Sequence, residues 1–310
     1  MTRLLLADRI KTEADSFLAP LLPALRDRFD VRFTTHGPGE ALAAEIAWAD
    51  IVWLEWCWDH AVWATRSGVL GGRPCVVRLH SIEALQTDFP AQVDWGQVTR
   101  LVTVSDDIAA PLAHRVPAIP KPLIIPNGID LARFPLGTPS RFRIAWVGHI
   151  EPKKNPMLML QIAHRLHQVD PRFTVHVAGA FTDLRTLRYV RQMVPLLGLD
   201  GVVRFEGHIA DMPAWYADKG VLLSTSMYES FGMNIGEAMA TGAFPVVHAF
   251  PGADRLWPPE CLFAGTDEAV SLIRSARPGL YRGWVSEFYS LDRQASAITG
   301  LLADLVSVPA

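Results

Sequence analysis

The sequence predicts an α/β protein built from two Rossmann-like halves, and three observations carry that prediction. Short apolar runs alternate with longer helical stretches almost throughout, the pattern of parallel strands joined by helices. The alternation occurs twice. Between the two runs lies a turn-rich stretch, Ile125-Pro-Asn-Gly-Ile-Asp130, followed by Pro135, Gly137 and Pro139. The chain has 310 residues, half of them hydrophobic, enough for one large domain or two medium ones with cores of their own.

In the first half, strands are read at 3–7, 30–35, 50–55, 73–79, 100–104 and 121–125, with helices in the gaps. The stretch 13–28 reads as a helix interrupted and kinked by Pro20 and Pro23. In the second half, strands are read at 143–148, 173–178, 202–206, 220–225, 244–248 and 260–264. Helices are read at 156–168, 182–197, 211–218, 233–241 and 267–276, the first opening on Pro156 and the fourth stopped by Gly242. A last helix, 284–306, carries Trp284, Phe288, Ile298 and Leu301 as apolar positions. The domains so read are 1–135, 136–283 and a closing helical segment 284–310, for which packing back towards the first domain is one option. Two such units suggest facing domains with a cleft between them, since open α/β sheets bind ligands at the carboxyl ends of their strands.

Composition narrows the function. A net charge of −3 with no long Lys/Arg run argues against nucleic acid as a partner. Cys57, Cys75 and Cys261 are far apart, with neither zinc nor disulfide spacing, which points to a reducing compartment. The opening Met1–Asp8 is too short for a signal peptide, and no run of about 18 apolar residues appears. The expected location is cytoplasmic.

The chemistry concentrates in Glu229-Ser-Phe-Gly-Met-Asn-Ile-Gly-Glu237. An apolar strand reading precedes it, and helix formers come after it. The first carboxylate therefore sits on a strand-to-helix loop and the second inside the helix. Such a loop presents free N–H groups and the positive end of a helix dipole, which suit a phosphate. One carboxylate can then face a sugar and the other a ribose. Two further loops look polar and carry glycine: Val147-Gly-His-Ile-Glu-Pro-Lys-Lys-Asn155 and Phe205-Glu-Gly-His-Ile209. Gly148 allows close backbone approach, and Lys153 or Lys154 can bring a cation to a diphosphate. A solvent loop explains the first of these alone equally well. Three such loops at the ends of strands in one sheet favour a site.

These pieces, in this order, resemble the donor domain of GT-B retaining glycosyltransferases, specifically the glycosyltransferase family 4 group. Ile125–Asp130 resembles the inter-domain signature, and Trp146–Lys154 the glycine loop with a lysine six residues after its glycine. Phe173–Gly179 and Val203–His208 resemble the next two strand ends. Glu229 to Glu237 resembles the Glu-x7-Glu motif, and Gly242–Val247 the strand entry beyond it. The resemblance is strong over 121–250 and loose in the first domain, which it would make the acceptor domain. It implies that Lys154 neutralises the donor diphosphate, with Gly148, His149 and Lys153 beside it. Backbone N–H groups from Ser230 and Phe231 to Gly232, Met233 and Asn234 would bind phosphate. Glu237 would hold the ribose hydroxyls, and Glu229 would face the transferred sugar. The Gly207-His208-Ile209 loop would lie near the base. No metal and no bound cofactor are implied, since GT-B enzymes use cationic side chains and helix dipoles. Asp106 and Asp107 are accordingly not read as metal ligands, and Ser105 reads first as an N-cap.

There are departures. His149 stands where an arginine is usual, and Gly236 where a large apolar residue is common. The first suggests a weaker diphosphate grip or a different donor. The second reads as a packing change, with room for a larger ligand as the alternative. The first domain is shorter than usual and shows no clear glycine pair in its opening loop. Its best candidate is His80, ending Val77-Arg-Leu-His80, which the resemblance would place against the donor sugar; a core or surface histidine fits equally well. Trp53, Trp56, Trp58 and Trp63 read either as an acceptor stacking platform or, by preference, as core. For Arg9 and Lys11 near Leu18-Ala-Pro-Leu-Leu22, a peripheral contact with lipid headgroups is weighed against a core helix, which is preferred.

The function so read is a retaining glycosyltransferase, with a nucleotide diphosphate sugar as donor and an unidentified hydroxyl acceptor. The catalytic candidates are Glu229, His80 and Lys154. The rivals are another GT-B activity, a phosphorylase or an epimerase, and a non-catalytic nucleotide-sugar-binding protein.

Overall fold

The computed structural model describes residues 1–307. Two compact units divide the chain: Met1–Gly128 together with the segment from Leu291 onward, and Ile129–Ser290. The boundaries read from the turns lie at 135/136 and 283/284. The segment between 129 and 135 packs in the second unit, where the Phe134 ring meets Tyr216 and the Phe134 carbonyl accepts from Arg282.

The first unit holds a six-stranded sheet: β1 (Arg3–Asp8), β2 (Asp30–Thr34), β3 (Ile51–Glu55), β4 (Cys75–Arg78), β5 (Arg100–Thr103) and β6 (Leu123–Ile124). Its spatial order is β2-β1-β3-β4-β5-β6, and every pairing is parallel. The second holds β7 (Ser140–Val147), β8 (Thr174–Ala178), β9 (Val203–Gly207), β10 (Lys219–Ser224), β11 (Phe244–His248) and β12 (Leu262–Phe263). The order there is β12-β11-β10-β7-β8-β9, again all parallel. Helices cover both faces of such sheets, so the inner strands are apolar along their whole length. Residues 4–7 of β1, all of β3 apart from its terminal glutamate, and residues 221–223 of β10 are buried apolar side chains. That is why the strands stand out as apolar runs in the sequence.

Two predicted helices differ. The stretch 13–28 forms only a short 3-10 turn, Ala19–Leu21, and one helix, Leu22–Arg26. Pro20 and Pro23 each sit at the start of one of these pieces, because neither can donate an N–H from a helix interior. The last helix is two helices, Arg282–Phe288 and Leu291–Ser307. The break falls where the backbone leaves the second unit. Tyr289 offers its carbonyl to the Ile129 N–H at 2.7 Å, and Ile129 also bridges Ser290. Beyond the break, Ile298, Leu301, Leu302 and Leu305 join Leu4, Leu6, Leu18, Leu21 and Trp53 in the first unit's core. Leu18, Leu21, Leu22 and Leu25 are thus core residues, while Arg9 pairs with Asp59 and Lys11 lies over Phe17. Among the described residues no helix is long and apolar enough to cross a membrane.

Candidate functional site

In an open parallel sheet the crevice opens where the strand order reverses. In the second unit that point lies between β7 and β10. Two of the three predicted loops, Val147–Asn155 and Tyr228–Asn234, leave the carboxyl ends of these two strands, and the third leaves β9. They are stitched to one another. Met227 N donates to Lys153 O at 2.9 Å. The Thr225 hydroxyl reaches Lys154 O at 2.8 Å and accepts from Trp146 Nε1 at 2.9 Å. Gly148 N donates to Ala178 O, Ile150 N to Ala180 O, and Gly179 N to Gly207 O. Gly179 must lack a side chain here, because a Cβ would stand 1.9 Å from the Gly148 carbonyl oxygen. The strand ends thereby form one continuous row of backbone.

Glu229 lies at the centre of this row. Lys154 Nζ donates to its Oε1 at 2.5 Å, the Ser226 hydroxyl to the same oxygen at 2.7 Å, and Lys153 Nζ stands 3.6 Å from Oε2. Burial acts to raise this carboxyl's pKa, but Lys154 and Lys153, with the two hydrogen bonds, hold it below the usual range. Glu229 is therefore a carboxylate that draws two lysine side chains to one spot. The adjoining carbonyl of Ser226 accepts from His248 Nδ1 at 3.1 Å.

The helix Met233–Thr241 begins beside this cluster. Gly232 takes the left-handed conformation at its N-cap (φ 89°) and supplies no side-chain cap; its carbonyl accepts from Ile235 N at 2.9 Å, so the N–H groups of Met233 and Asn234 are the ones left without a partner within the helix. Asn234 anchors the turn by donating to Val147 O at 3.1 Å. Phe231 faces away: its ring is buried against Trp257 and Tyr289, leaving only its backbone for a ligand. Ser230, Met233 and Asn234 are half-buried, whereas His149 and His208 are exposed and Ile209 is half-buried. Glu237 lies one turn beyond Met233. Burial, opposed by Arg133, raises its carboxyl from 4.5 to about 6. Gly236 is a packing position, because a Cβ there would meet Ile129 at 2.9 Å.

In the first unit, His80 lies two residues beyond the end of β4, at the N-cap of the helix Ser81–Gln86, and belongs to a polar cluster. Its Nε2 lies at hydrogen-bonding distance, 2.9 Å, from Glu55 Oε1, and Trp56 stacks on its ring at 3.9 Å. The four tryptophans have separate fates. Trp53 is core, Trp56 packs on His80, and Trp58 and Trp63 are half-buried, with Trp58 against Phe89.

Sequence reasoning missed Ser226, Thr225 and Gly179, which shape the second unit's row, and Glu55 and Arg78 beside His80; Trp56 it singled out, but without its contact to His80. Hydroxyls placed directly between a strand and a motif glutamate were a usable signal for the first two. For Glu55 the signal was a glutamate ending an otherwise apolar strand.

Residues 130–257 match the profile described as Glycosyl transferases group 1. A D-inositol 3-phosphate glycosyltransferase from Geodermatophilus obscurus is 35% identical over 180 residues, covering 52% of this chain and 40% of that relative. One of the same name from Streptomyces bingchenggensis is 29% identical over 247 residues, covering 67% and 53%. This chain thus spans about half or less of the length of these relatives. Among solved structures, Anabaena HepE in complex with UDP superposes with a TM-score of 0.77 at 18% identity, covering 98% of this chain and 100% of that one. Sucrose-phosphate synthase from Thermosynechococcus elongatus gives 0.70 at 16% identity, covering 99% and 100%. These likenesses show the fold: two Rossmann-like domains of the GT-B type.

Proposed function

We propose that this chain is a retaining glycosyltransferase, which moves a sugar from a nucleoside diphosphate sugar to a hydroxyl acceptor. One observation carries the reading. A buried carboxylate, Glu229, gathers two lysines beside an uncapped helix start, with a second carboxylate, Glu237, one turn further on. The lysines and the helix N–H groups suit a diphosphate. The two carboxylates suit the hydroxyl-rich groups on either side of it.

In this reading Lys154, helped by Lys153 and His149, neutralises the diphosphate, and Gly148 lets the backbone approach. The N–H groups of Ser230 to Asn234 take phosphate oxygens. Glu237 accepts from ribose hydroxyls, and His208 and Ile209 flank the base. Glu229 orients the transferred sugar and stabilises positive charge at its anomeric carbon. His80 is the third catalytic candidate, from the first unit. The bond between the anomeric carbon and the diphosphate oxygen breaks as the acceptor oxygen bonds to that carbon on the same face. The acceptor proton passes to the departing phosphate oxygen. Charge stabilisation is assigned to Lys154 and the helix start, without a metal.

The test is sugar release and transfer from a panel of UDP-, GDP- and ADP-sugars, with the product anomer read by NMR. UDP-sugars come first, because the Anabaena neighbours hold UDP and UDP-glucose. Inositol phosphates come first as acceptors, because the sequence relatives carry that name. Binding without turnover on any donor and acceptor would favour the non-catalytic rival. Exchange with phosphate in place of a hydroxyl acceptor would favour a phosphorylase.

A further inference from the structure

The first sheet has its own reversal of strand order, between β1 and β3. A charged cluster is buried close beside it, at the carboxyl ends of β3 and β4. Glu55 ends β3 and is wholly inaccessible. Its Oε1 accepts from Arg78 at 3.0 Å and from His80 Nε2 at 2.9 Å, and its Oε2 accepts from Trp53 Nε1 at 2.8 Å. Arg78 is buried as well, and its other terminal nitrogen donates to Asn127 Oδ1. A neutral pair of apolar residues would be cheaper to bury than this ion pair, so stability alone does not account for it.

The donors settle the protonation pattern. Arginine and tryptophan can only donate, so Glu55 is an acceptor on both oxygens. Burial pushes its pKa upward, but Arg78 and then His80 hold it below the usual range. An ionised Glu55 requires a proton on His80 Nε2. With Nε2 so fixed, Nδ1 is the atom that carries the lone pair whenever the ring is neutral. That atom has no hydrogen-bond partner among the described residues and is not closed off from solvent. The ring itself is held by aromatic packing, with Trp56 at 3.9 Å and Phe17 at 5.5 Å. Trp56 accepts a left-handed backbone (φ 73°), unusual for so bulky a residue, and leaves its Nε1 buried without a partner. Strain kept next to an oriented ring is what a functional position shows. The remaining charged neighbours are both buried carboxyls: Glu83, whose Oε1 accepts from Cys57 N at 2.7 Å, and Asp8, which pairs in register with Glu55 on β1.

We infer that Glu55 is a positioning residue, which fixes His80 with Nε2 protonated and presents Nδ1 as the hydrogen-bond acceptor for a hydroxyl of a sugar or polyol. Only the identity of that hydroxyl rests on the glycosyltransferase reading. The orientation of the ring does not.

Long-range ¹H–¹⁵N NMR of the full chain at about pH 8 tests it, with the His80 signals assigned by their loss in His80→Asn. The expected result is the Nε2–H tautomer with an unprotonated Nδ1; the opposite tautomer overturns the inference. Glu55→Gln alone strands the Arg78 charge, so the informative variant is the double substitution Glu55→Gln/Arg78→Met, which removes both. It should fold, lose the single tautomer and lower turnover by roughly tenfold or more, as when a carboxylate that orients an imidazole is removed. A folded double variant with an unchanged His80 tautomer refutes the role of Glu55. The kinetic comparison is His80→Asn, which keeps an acceptor oxygen near the Nδ1 position, against His80→Gln, which does not. Greater residual turnover in the first is expected, and equal loss counts against an Nδ1 contact. A protein without transferase activity but with the expected tautomer would sink the proposed function and leave the orientation by Glu55 intact.

Discussion

Glu237→Gln should make the protein more stable and a worse nucleotide binder at the same time. The carboxyl is raised from 4.5 to about 6, chiefly by burial. A raised carboxyl pKa means that the folded state resists ionisation. Between these two values the folded state binds more protons than the unfolded one, so stability falls as pH rises through the window. Above it the full penalty applies, about 2 kcal/mol at about 1.4 kcal/mol per pH unit. Glutamine keeps the shape and has no charge to bury, so the variant should gain up to about 2 kcal/mol at pH 8. The gain should shrink to less than about 1 kcal/mol at pH 5, where the folded carboxyl is already mostly protonated. For a domain of this size about 2 kcal/mol corresponds to roughly 4–8 °C in Tm. Urea unfolding at both pH values, with the slope m compared between proteins, is the assay. A gain of equal size at both pH values would refute the electrostatic account, and a loss at pH 8 would refute the burial penalty itself. If Glu237 holds the ribose, calorimetry with nucleoside diphosphate should show Glu237→Ala losing about 1.5–3 kcal/mol of binding, the range for a hydrogen bond to a charged group.

Four further outcomes are expected. Lys154→Ala should weaken nucleoside diphosphate binding and leave the bare nucleoside nearly unaffected; equal losses would remove the lysine from the phosphates, and a larger effect from Lys153→Ala would move the role one residue. Glu229→Gln should lower turnover by at least about 10²-fold with donor affinity changed far less, and NMR of the wild-type product should show the donor's own anomeric configuration. His149→Arg should bind nucleoside diphosphate more tightly; weaker binding would show that the loop is shaped around the imidazole. Exhaustive treatment with EDTA should leave turnover unchanged, and restoration by an added divalent cation would contradict a metal-free mechanism.

The range of each interaction decides whether the sequence discloses it. Strands buried on both faces must be apolar throughout, so β1, β3, β7 and β10 are visible as runs. Lys154 and Glu229 are visible because a strand-to-loop change marks each, although nothing in the sequence shows that they meet at 2.5 Å. The break at Tyr289 is hidden because its cause is the N–H of Ile129, far away along the chain. The Glu55–Arg78–His80 cluster is hidden for the same reason: Glu55 and Arg78 come from two strands whose register fixes their contact, and His80 from the helix start just beyond. Trp56 looks like an ordinary core aromatic until its backbone conformation is known. Pro20 and Pro23 suggest a kink within one helix, whereas each opens a separate short piece.

The division of the chain also sets an order of synthesis. The second unit is one unbroken segment, whereas the first is completed only by the helix Leu291–Ser307. On the ribosome the second unit can therefore finish folding while the first still lacks Ile298, Leu301, Leu302 and Leu305. At about 5–20 residues per second, translating the intervening segment takes roughly 10–30 s. For that time Leu4, Leu18 and Leu21 belong to a nascent half-core with nothing to close it, a surface that chaperones would meet first.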